Sequence, residues 1–311
     1  MPQIEQPLYL RSGGDSSFVT LHRAESASGV AAILCPPFGW EEVASYRPRR
    51  VWAQALACAG HTALRISLPS TGDSGGTVDD PDRVAAWTAA IAAAASWLRR
   101  ETDARRIVAV GIGLGGMLAY RCAAEDGDID DLVLWAVSAR GKSLVRQLRA
   151  FARLETDQFF EGLPDPPPLA EGYLEAGGFR LSPTTVADLE ALDLSTLALQ
   201  DAANRRVLML ERDGIAVDSR LHERLSELGA PVTTARGDGY GEMTSHPQSA
   251  QPATAVFERV AHWCGEVAQL PPRPGRRPDT QLDVLATRRM DGGDPEAGAW
   301  SEVPVSMDGA G

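Results

Sequence analysis

The sequence is short of the residues that cross-link a chain or hold a metal. It has four cysteines in 311 residues. Cys35, Cys58, Cys122 and Cys264 lie far apart with no C-x-x-C pair, which argues against both a disulfide framework and a zinc site. Positive charge is also scarce: 30 Lys and Arg stand against 42 Asp and Glu, a formal net charge of −12, and the arginines are scattered rather than massed. Such a chain repels phosphate backbones and anionic lipid, so neither nucleic acid nor a membrane surface is an expected partner. No secretory signal pattern opens the chain, and its longest apolar run, AAWTAAIAAAASWL from Ala85, is too short to span a bilayer. These absences predict a soluble cytoplasmic protein with reduced, structural thiols, no metal and no cofactor.

Apolar residues make up 44% of the chain, enough for one large core, and α/β domains of about 250 residues are common as single units. After two strand-like runs, PLYL and SFVTLH, the chain alternates apolar runs (VAAILC, TALRIS, RIVAV, DLVLWAV, RVLML, PVTTA) with helical segments. Asp80 is placed to cap the long alanine-rich helix, with Pro81 at its first position. Strands alternating with helices of ten or more residues specify a mostly parallel, doubly wound α/β sheet. The alternation lapses from about residue 139 to 204, where a basic helix (KSLVRQLRAFARLE), a proline-rich loop and a short helix opened by Ser182 and Pro183 read as a helical insertion over the sheet's C-terminal edge. The domain is therefore expected to span residues 1–268, with residues 269–311 as a proline- and glycine-rich linker or tail. Within that tail Glu302-Val-Pro-Val-Ser-Met-Asp-Gly-Ala-Gly311 echoes Glu5-Gln-Pro-Leu-Tyr-Leu-Arg-Ser-Gly-Gly14. The echo is either coincidence or a duplicated first strand that docks on a sheet edge.

The stretch RIVAVGIGLGGMLAY, from Arg106 to Tyr120, reads as strand, tight turn and helix, a geometry that two mechanisms use. Gly111, Gly113 and Gly116 match the dinucleotide fingerprint G-x-G-x-x-G, which would make the chain an oxidoreductase. That reading needs an acidic residue at the end of the next strand, and DLVLWAVSAR has none. Gly111 and Gly115 match the nucleophile elbow G-x-S-x-G, with Gly113 where the serine belongs. A second serine motif, Gly72-Asp-Ser-Gly-Gly76, has the form found in trypsin-like proteases, but those are paired β-barrels whose serine lies late in the chain.

The flanking loops separate the two readings. Cys35-Pro-Pro-Phe-Gly39 follows VAAILC, LPSTGDSGG follows TALRIS, and GDGYGEM follows the last strand. With the glycine turn, these loops resemble in order and spacing the α/β-hydrolase superfamily, and within it the serine-aminopeptidase-like and exosortase-associated hydrolases, over about residues 5 to 268. The resemblance implies an α/β-hydrolase fold with a lid after the sixth strand. It also implies an oxyanion hole from the backbone N–H groups of Phe38 and Leu114, and a triad acid at Asp213. Asp213 also suits a solvated turn.

The departures from the family bear on chemistry. Gly113 has no side chain to attack anything, and Tyr240 stands where the family's histidine would follow the last strand. Tyrosine, with a reference pKa near 10, is a poor general base at neutral pH. His246, six residues on, is an alternative base or a surface residue. Cys35 is an alternative nucleophile or a small buried residue, and Ser138 a turn residue on the same edge. His22, His61, His222 and His262 fall on scaffold elements. Two function classes follow. In one, a degenerate hydrolase homologue binds a small acyl or carbonyl-containing molecule under its lid, or a partner such as a second hydrolase-like subunit or a second copy. In the other, an active hydrolase, acyltransferase or cofactor-free lyase uses Asp213, His246, Tyr240 and the oxyanion N–H pair.

Overall fold

In the central strands every residue is buried, and successive residues go to opposite faces of the sheet. The computed structural model describes residues 5–125, 127–159, 169–273 and 284–285. Along β5 (Arg106–Ile112), Ile107 and Ala109 pack into one apolar layer while Val108, Val110 and Ile112 pack into the other. Strand β3 (Val30–Cys35) divides the same way, with Ala31, Ile33 and Cys35 on the first face and Val30, Ala32 and Leu34 on the second. Strands buried on both sides need helices on both sides. Helices α3 (Arg83–Glu101), α4 (Leu114–Ala124) and α7 (Ser219–Glu227) supply the first layer, and α2 (Tyr46–Cys58) and α9 (Thr254–Val267) the second.

The remaining strands complete one sheet in the order β10-β9-β6-β5-β3-β4-β2-β1-β11. Here β1 is Glu5–Ser12, β2 Asp15–His22, β4 Thr62–Ile66, β6 Asp131–Trp135, β9 Val207–Leu210, β10 Val232–Ala235 and β11 Val284–Leu285. Neighbours from β10 across to β4 run parallel, whereas β2 lies antiparallel to β4, and β1 to β2. The expected mostly parallel, doubly wound sheet is therefore present. Between β6 and β9 the chain leaves the sheet for α5 (Gly141–Phe159), the hairpin β7 (Leu174–Ala176) and β8 (Phe179–Leu181), and α6 (Pro183–Ala191). Ser182 caps α6 by accepting the Thr185 N–H, as its position before Pro183 leads one to expect. Two short helices, α1 (Trp40–Ala44) and α8 (Tyr240–Thr244), follow β3 and β10 at the edge where the parallel strands end.

Two sequence expectations need correction or relocation. Asp80 does not cap α3. Its carboxylate is taken up by the Thr77 N–H and hydroxyl, and the helix begins at Arg83 behind Asp82, whose φ of 54° places it in the left-handed region. In the tail, the segment paired with the sheet edge is Val284–Leu285, antiparallel to Tyr9 and Leu10 of β1; the echo at residues 302–311 lies outside the described residues. No helix among the described residues is long and apolar enough to cross a membrane.

The glycines of the turn after β5 are set by close packing. A Cβ on Gly111 would collide with the backbone of Gly116, one on Gly116 with Val137, and one on Gly115 with the carbonyl groups of Cys35 and Pro36. The last contact presses the loop after β3 onto the first turn of α4. Gly115→Ala gains up to about 1 kcal/mol of helix propensity but drives a methyl into carbonyls of a central strand end. We expect a net loss of about 1–3 kcal/mol, the usual cost of overpacking. Gly265→Ala in α9, with nothing within 4 Å of its Cβ position, is expected to gain roughly 0.5–1 kcal/mol. Urea unfolding of both variants measures the two signs.

Candidate functional site

Five chain segments meet at the carboxyl ends of β3, β5, β6, β9 and β10, the edge at which ligands sit in open α/β sheets. Gly113 turns the chain from β5 into α4 with φ 51° and ψ −118°, a region that L side chains rarely adopt. Its N–H donates to the Trp135 carbonyl at 2.9 Å. Unlike its three neighbours, Gly113 is not held by lack of space. A Cβ here would meet Pro37 Cβ at 3.6 Å and both Glu41 Oε2 and Tyr240 Oη at 3.7 Å, ordinary van der Waals separations. The N–H groups of Phe38 and Leu114, on the two segments joined by the Gly115 contact, have no hydrogen-bond partner among the described residues.

Tyr240 opens α8 and is buried, 1% exposed. Its hydroxyl donates to Glu41 Oε2 at 2.7 Å, its ring stands edge-on to Trp135 at 5.3 Å, and the Arg212 guanidinium lies over its face at 4.5 Å. Burial, then the Glu41 charge, hold the phenol well above its ordinary pKa, so it is a donor and not a base. Trp135 continues the column inward to Trp52 at 5.8 Å, which stacks on Phe257 at 4.6 Å. Its indole N–H donates to the carbonyls of Glu211 and Gly237, the loops that carry Arg212 and Tyr240.

Glu41, on α1, is the residue that sequence reasoning missed. Its side chain is 36% exposed, and its carboxylate accepts from Tyr240 and lies 3.9 Å from Arg212. Desolvation raises its pKa above the usual carboxylate range, and the Tyr240 hydrogen bond and the Arg212 charge offset part of that rise. The available signal was weak: a glutamate two residues past CPPFG, in a helix too short to show periodicity.

Asp213 has a different task from orienting a histidine. Arg212 and Ile215 exchange backbone hydrogen bonds around Asp213-Gly214, whose φ values of 48° and 83° form the tight turn that Asp-Gly favours. From that turn the carboxylate accepts the N–H groups of Gly239 at 2.6 Å, Tyr240 at 3.1 Å and Gly241 at 2.8 Å. It thus caps α8 and fixes the backbone of Tyr240.

His246 is exposed. Its Nδ1 accepts the Gln248 N–H, its ring lies edge-on to Trp40 at 5.7 Å, and no contact among the described residues joins it to Asp213 or Tyr240. Cys35 is fully buried and its thiol is pushed far above the ordinary range by desolvation, so it serves as a small core residue. Ser74 spends its hydroxyl bracing a loop, accepting from Phe18 N and donating to the Ser67 carbonyl. His61 is buried scaffold, bonded to Ser28 and the Ala261 carbonyl. No cluster of three or more metal-ligating side chains occurs among the described residues. The glycine pattern, accounted for by packing within β5–α4 and against Val137 and the β3 loop, needs no pyrophosphate to explain it.

Above Glu41 lies a cavity of about 350 Å³, walled by Phe38 and Trp40 on one side, Arg212, Thr244 and Ser245 on another, and Leu144, Gln147, Leu148 and Phe151 of α5. An apolar wall with a few convergent polar groups is the usual composition of a small-molecule site.

The sheet order, the crossovers and the glycine turn after β5 are those of the α/β-hydrolase fold, and solved structures agree. Est1E from Butyrivibrio proteoclasticus, in its ferulic acid complex, superposes with a TM-score of 0.57 at 17% identity, covering 83% of this chain and 98% of its own. An α/β serine hydrolase without a lid from Xanthomonas campestris gives 0.51 at 18%, covering 88% and 99%. An esterase from Pyrococcus furiosus gives 0.56 at 15%, covering 87% and 92%. No family model and no curated protein matches the chain by sequence. The chain has the α/β-hydrolase fold.

The capping role of Asp213 is measurable. Asp213→Ala removes the acceptor of three N–H groups and is expected to cost about 1–2 kcal/mol, at the upper end of cap deletions. Asp213→Asn, which keeps one acceptor oxygen, should lose less. Urea unfolding distinguishes this from a purely functional acid, whose removal would leave stability unchanged.

Proposed function

We propose that this α/β-hydrolase-fold protein has left serine-hydrolase chemistry and binds a small acyl or carbonyl-containing molecule in the cavity above Glu41, beside Gly113, with α5 as its lid. In this reading Gly113 occupies the elbow position of the nucleophile, Tyr240 that of the histidine, and the N–H groups of Phe38 and Leu114 form the oxyanion hole. The observation that carries it is the pairing at Gly113: a Cα without a side chain, facing a hydrogen-bonded tyrosine and glutamate. A serine and its base act as a unit, and loss of either member forfeits most of the rate. Both are missing here, and His246, held at the surface by Gln248 and Trp40, supplies neither. The glycine also leaves room beside Glu41, which lines the cavity, and the N–H groups of Phe38 and Leu114, unpaired among the described residues, are suited to a carbonyl oxygen. Ferulic acid bound to Est1E is a precedent for a small carbonyl-bearing ligand within this fold.

A fluorophosphonate probe is expected to leave the wild-type protein unlabelled by intact-mass measurement, since the elbow offers no hydroxyl. Gly113→Ser has steric room and should fold, and adding Tyr240→His beside it should make labelling faster than in the single variant. Stoichiometric labelling of a serine in the wild type would contradict this reading.

A further inference from the structure

We infer that Glu41 is a catalytic base that activates a water molecule in the space left by the missing side chain of Gly113, making the cavity a hydrolytic site for small esters that forms no acyl-enzyme. The inference rests on the proposed binding of a carbonyl compound above Gly113 and names its chemistry.

Three observations converge on it. First, the point where a Cβ of residue 113 would lie is 3.7 Å from Glu41 Oε2, 3.7 Å from Tyr240 Oη and 3.6 Å from Pro37. With no Cβ there, a water lying beyond that point, at van der Waals distance from the Gly113 Cα, comes within hydrogen-bond reach of the carboxylate, close to the place from which an elbow side chain would attack. Secondly, Glu41 is oriented and not merely present. Tyr240, itself locked by Trp135, Arg212 and the Asp213 cap on its own N–H, donates to Oε2, and Arg212 stands 3.9 Å from Oε1. Thirdly, the carboxylate opens onto the 350 Å³ cavity, and its partial desolvation makes it a stronger base than a free surface glutamate.

The reaction balances with water as the sole co-reactant. The substrate carbonyl oxygen accepts the Phe38 and Leu114 N–H groups. Glu41 takes one proton from water as its oxygen bonds to the carbonyl carbon, and the carbonyl π pair moves onto the oxygen held by the two donors. When the tetrahedral adduct collapses, the C–O bond to the alcohol breaks and that oxygen receives the proton from Glu41. One ester and one water become one acid and one alcohol, and Glu41 returns to the carboxylate. Tyr240 keeps its proton throughout and acts as a positioning residue. Leu144, Leu148 and Phe151 make the wall that receives the acyl chain, so uncharged esters of short apolar acids are the substrate class.

The test uses the full chain with p-nitrophenyl butyrate as substrate and the amide N-(4-nitrophenyl)butanamide as a slow, binding-only probe read by calorimetry. Glu41→Gln should keep amide binding and lose about 10²- to 10⁴-fold in kcat, the usual span for removing a general base. Gly113→Ala, which puts a methyl into the space the water needs, should lose about 10²-fold, with far-ultraviolet circular dichroism reporting whether the turn survives. One turnover in H₂¹⁸O should label the product acid and leave the Glu41 peptide unlabelled. If the wild type binds the amide but cleaves the ester no faster than Glu41→Gln, or if the label enters Glu41, the base assignment is overturned while the cavity reading stands. If the wild type does not bind the amide, the cavity reading fails and the inference falls with it.

Discussion

The site depends on one close contact, the first turn of α4 against the carbonyl groups of Cys35 and Pro36, which only a glycine at 115 permits. Cys35 ends a central strand that pairs with β5 along its whole length, Cys35 opposite Gly111, so the contact is fixed from both sides by sheet register. Everything downstream of Cys35 is thereby placed: Phe38, whose N–H has no partner among the described residues, then the short helix that brings Glu41 to Gly113. The same contact sets Leu114 at the mouth of α4, where a helix leaves N–H groups without internal partners. Loosening it by a methyl would move both unpaired donors relative to each other.

The other half of the site is held by a polar cap and an aromatic column. Trp135 stands edge-on between Trp52 and Tyr240 and uses its indole N–H to hold the Glu211 and Gly237 carbonyls. Asp213 gathers three N–H groups at the start of α8. A buried phenol is costly unless its hydroxyl has a partner, and Glu41 is that partner. The pair therefore joins the β3 side of the site to the β10 side. On the proposed reading, the residue in the histidine's place has become an orienting donor and the basic group has moved to the opposite wall.

Much of this was legible in the sequence. Apolar runs and glycine punctuation marked the sheet and its crossovers, because two-sided burial imposes a continuous apolar run on each strand, and Ser182-Pro183 marked the start of α6. The CPPFG loop, the glycine turn and GDGYGEM marked Phe38, Leu114, Gly113 and Tyr240, which the fold does gather. What escaped was which side chain faces which. Asp213 reads equally as catalytic acid or cap until its three N–H partners are seen. His246 lies six residues from Tyr240, but its loop carries it to Trp40. Glu41 carries no periodic signal and only a weak one from its place after CPPFG, since its contact with Tyr240 spans 199 residues. Asp80 misled because a local turn with Thr77 competes for the same carboxylate.

The central claim is that the base serving Gly113 is Glu41, held by Tyr240. The pH dependence of kcat/KM for p-nitrophenyl butyrate tests it most directly, because it reports the free enzyme's essential groups. Glu41 must be ionised to act, so the rate should rise with pH through a single acid limb above the usual carboxylate range, in keeping with its raised pKa. Tyr240→Phe removes a hydrogen bond that favours the charged form and should carry that limb to still higher pH. A limb that Tyr240→Phe leaves in place, or one abolished by His246→Ala, would contradict the account.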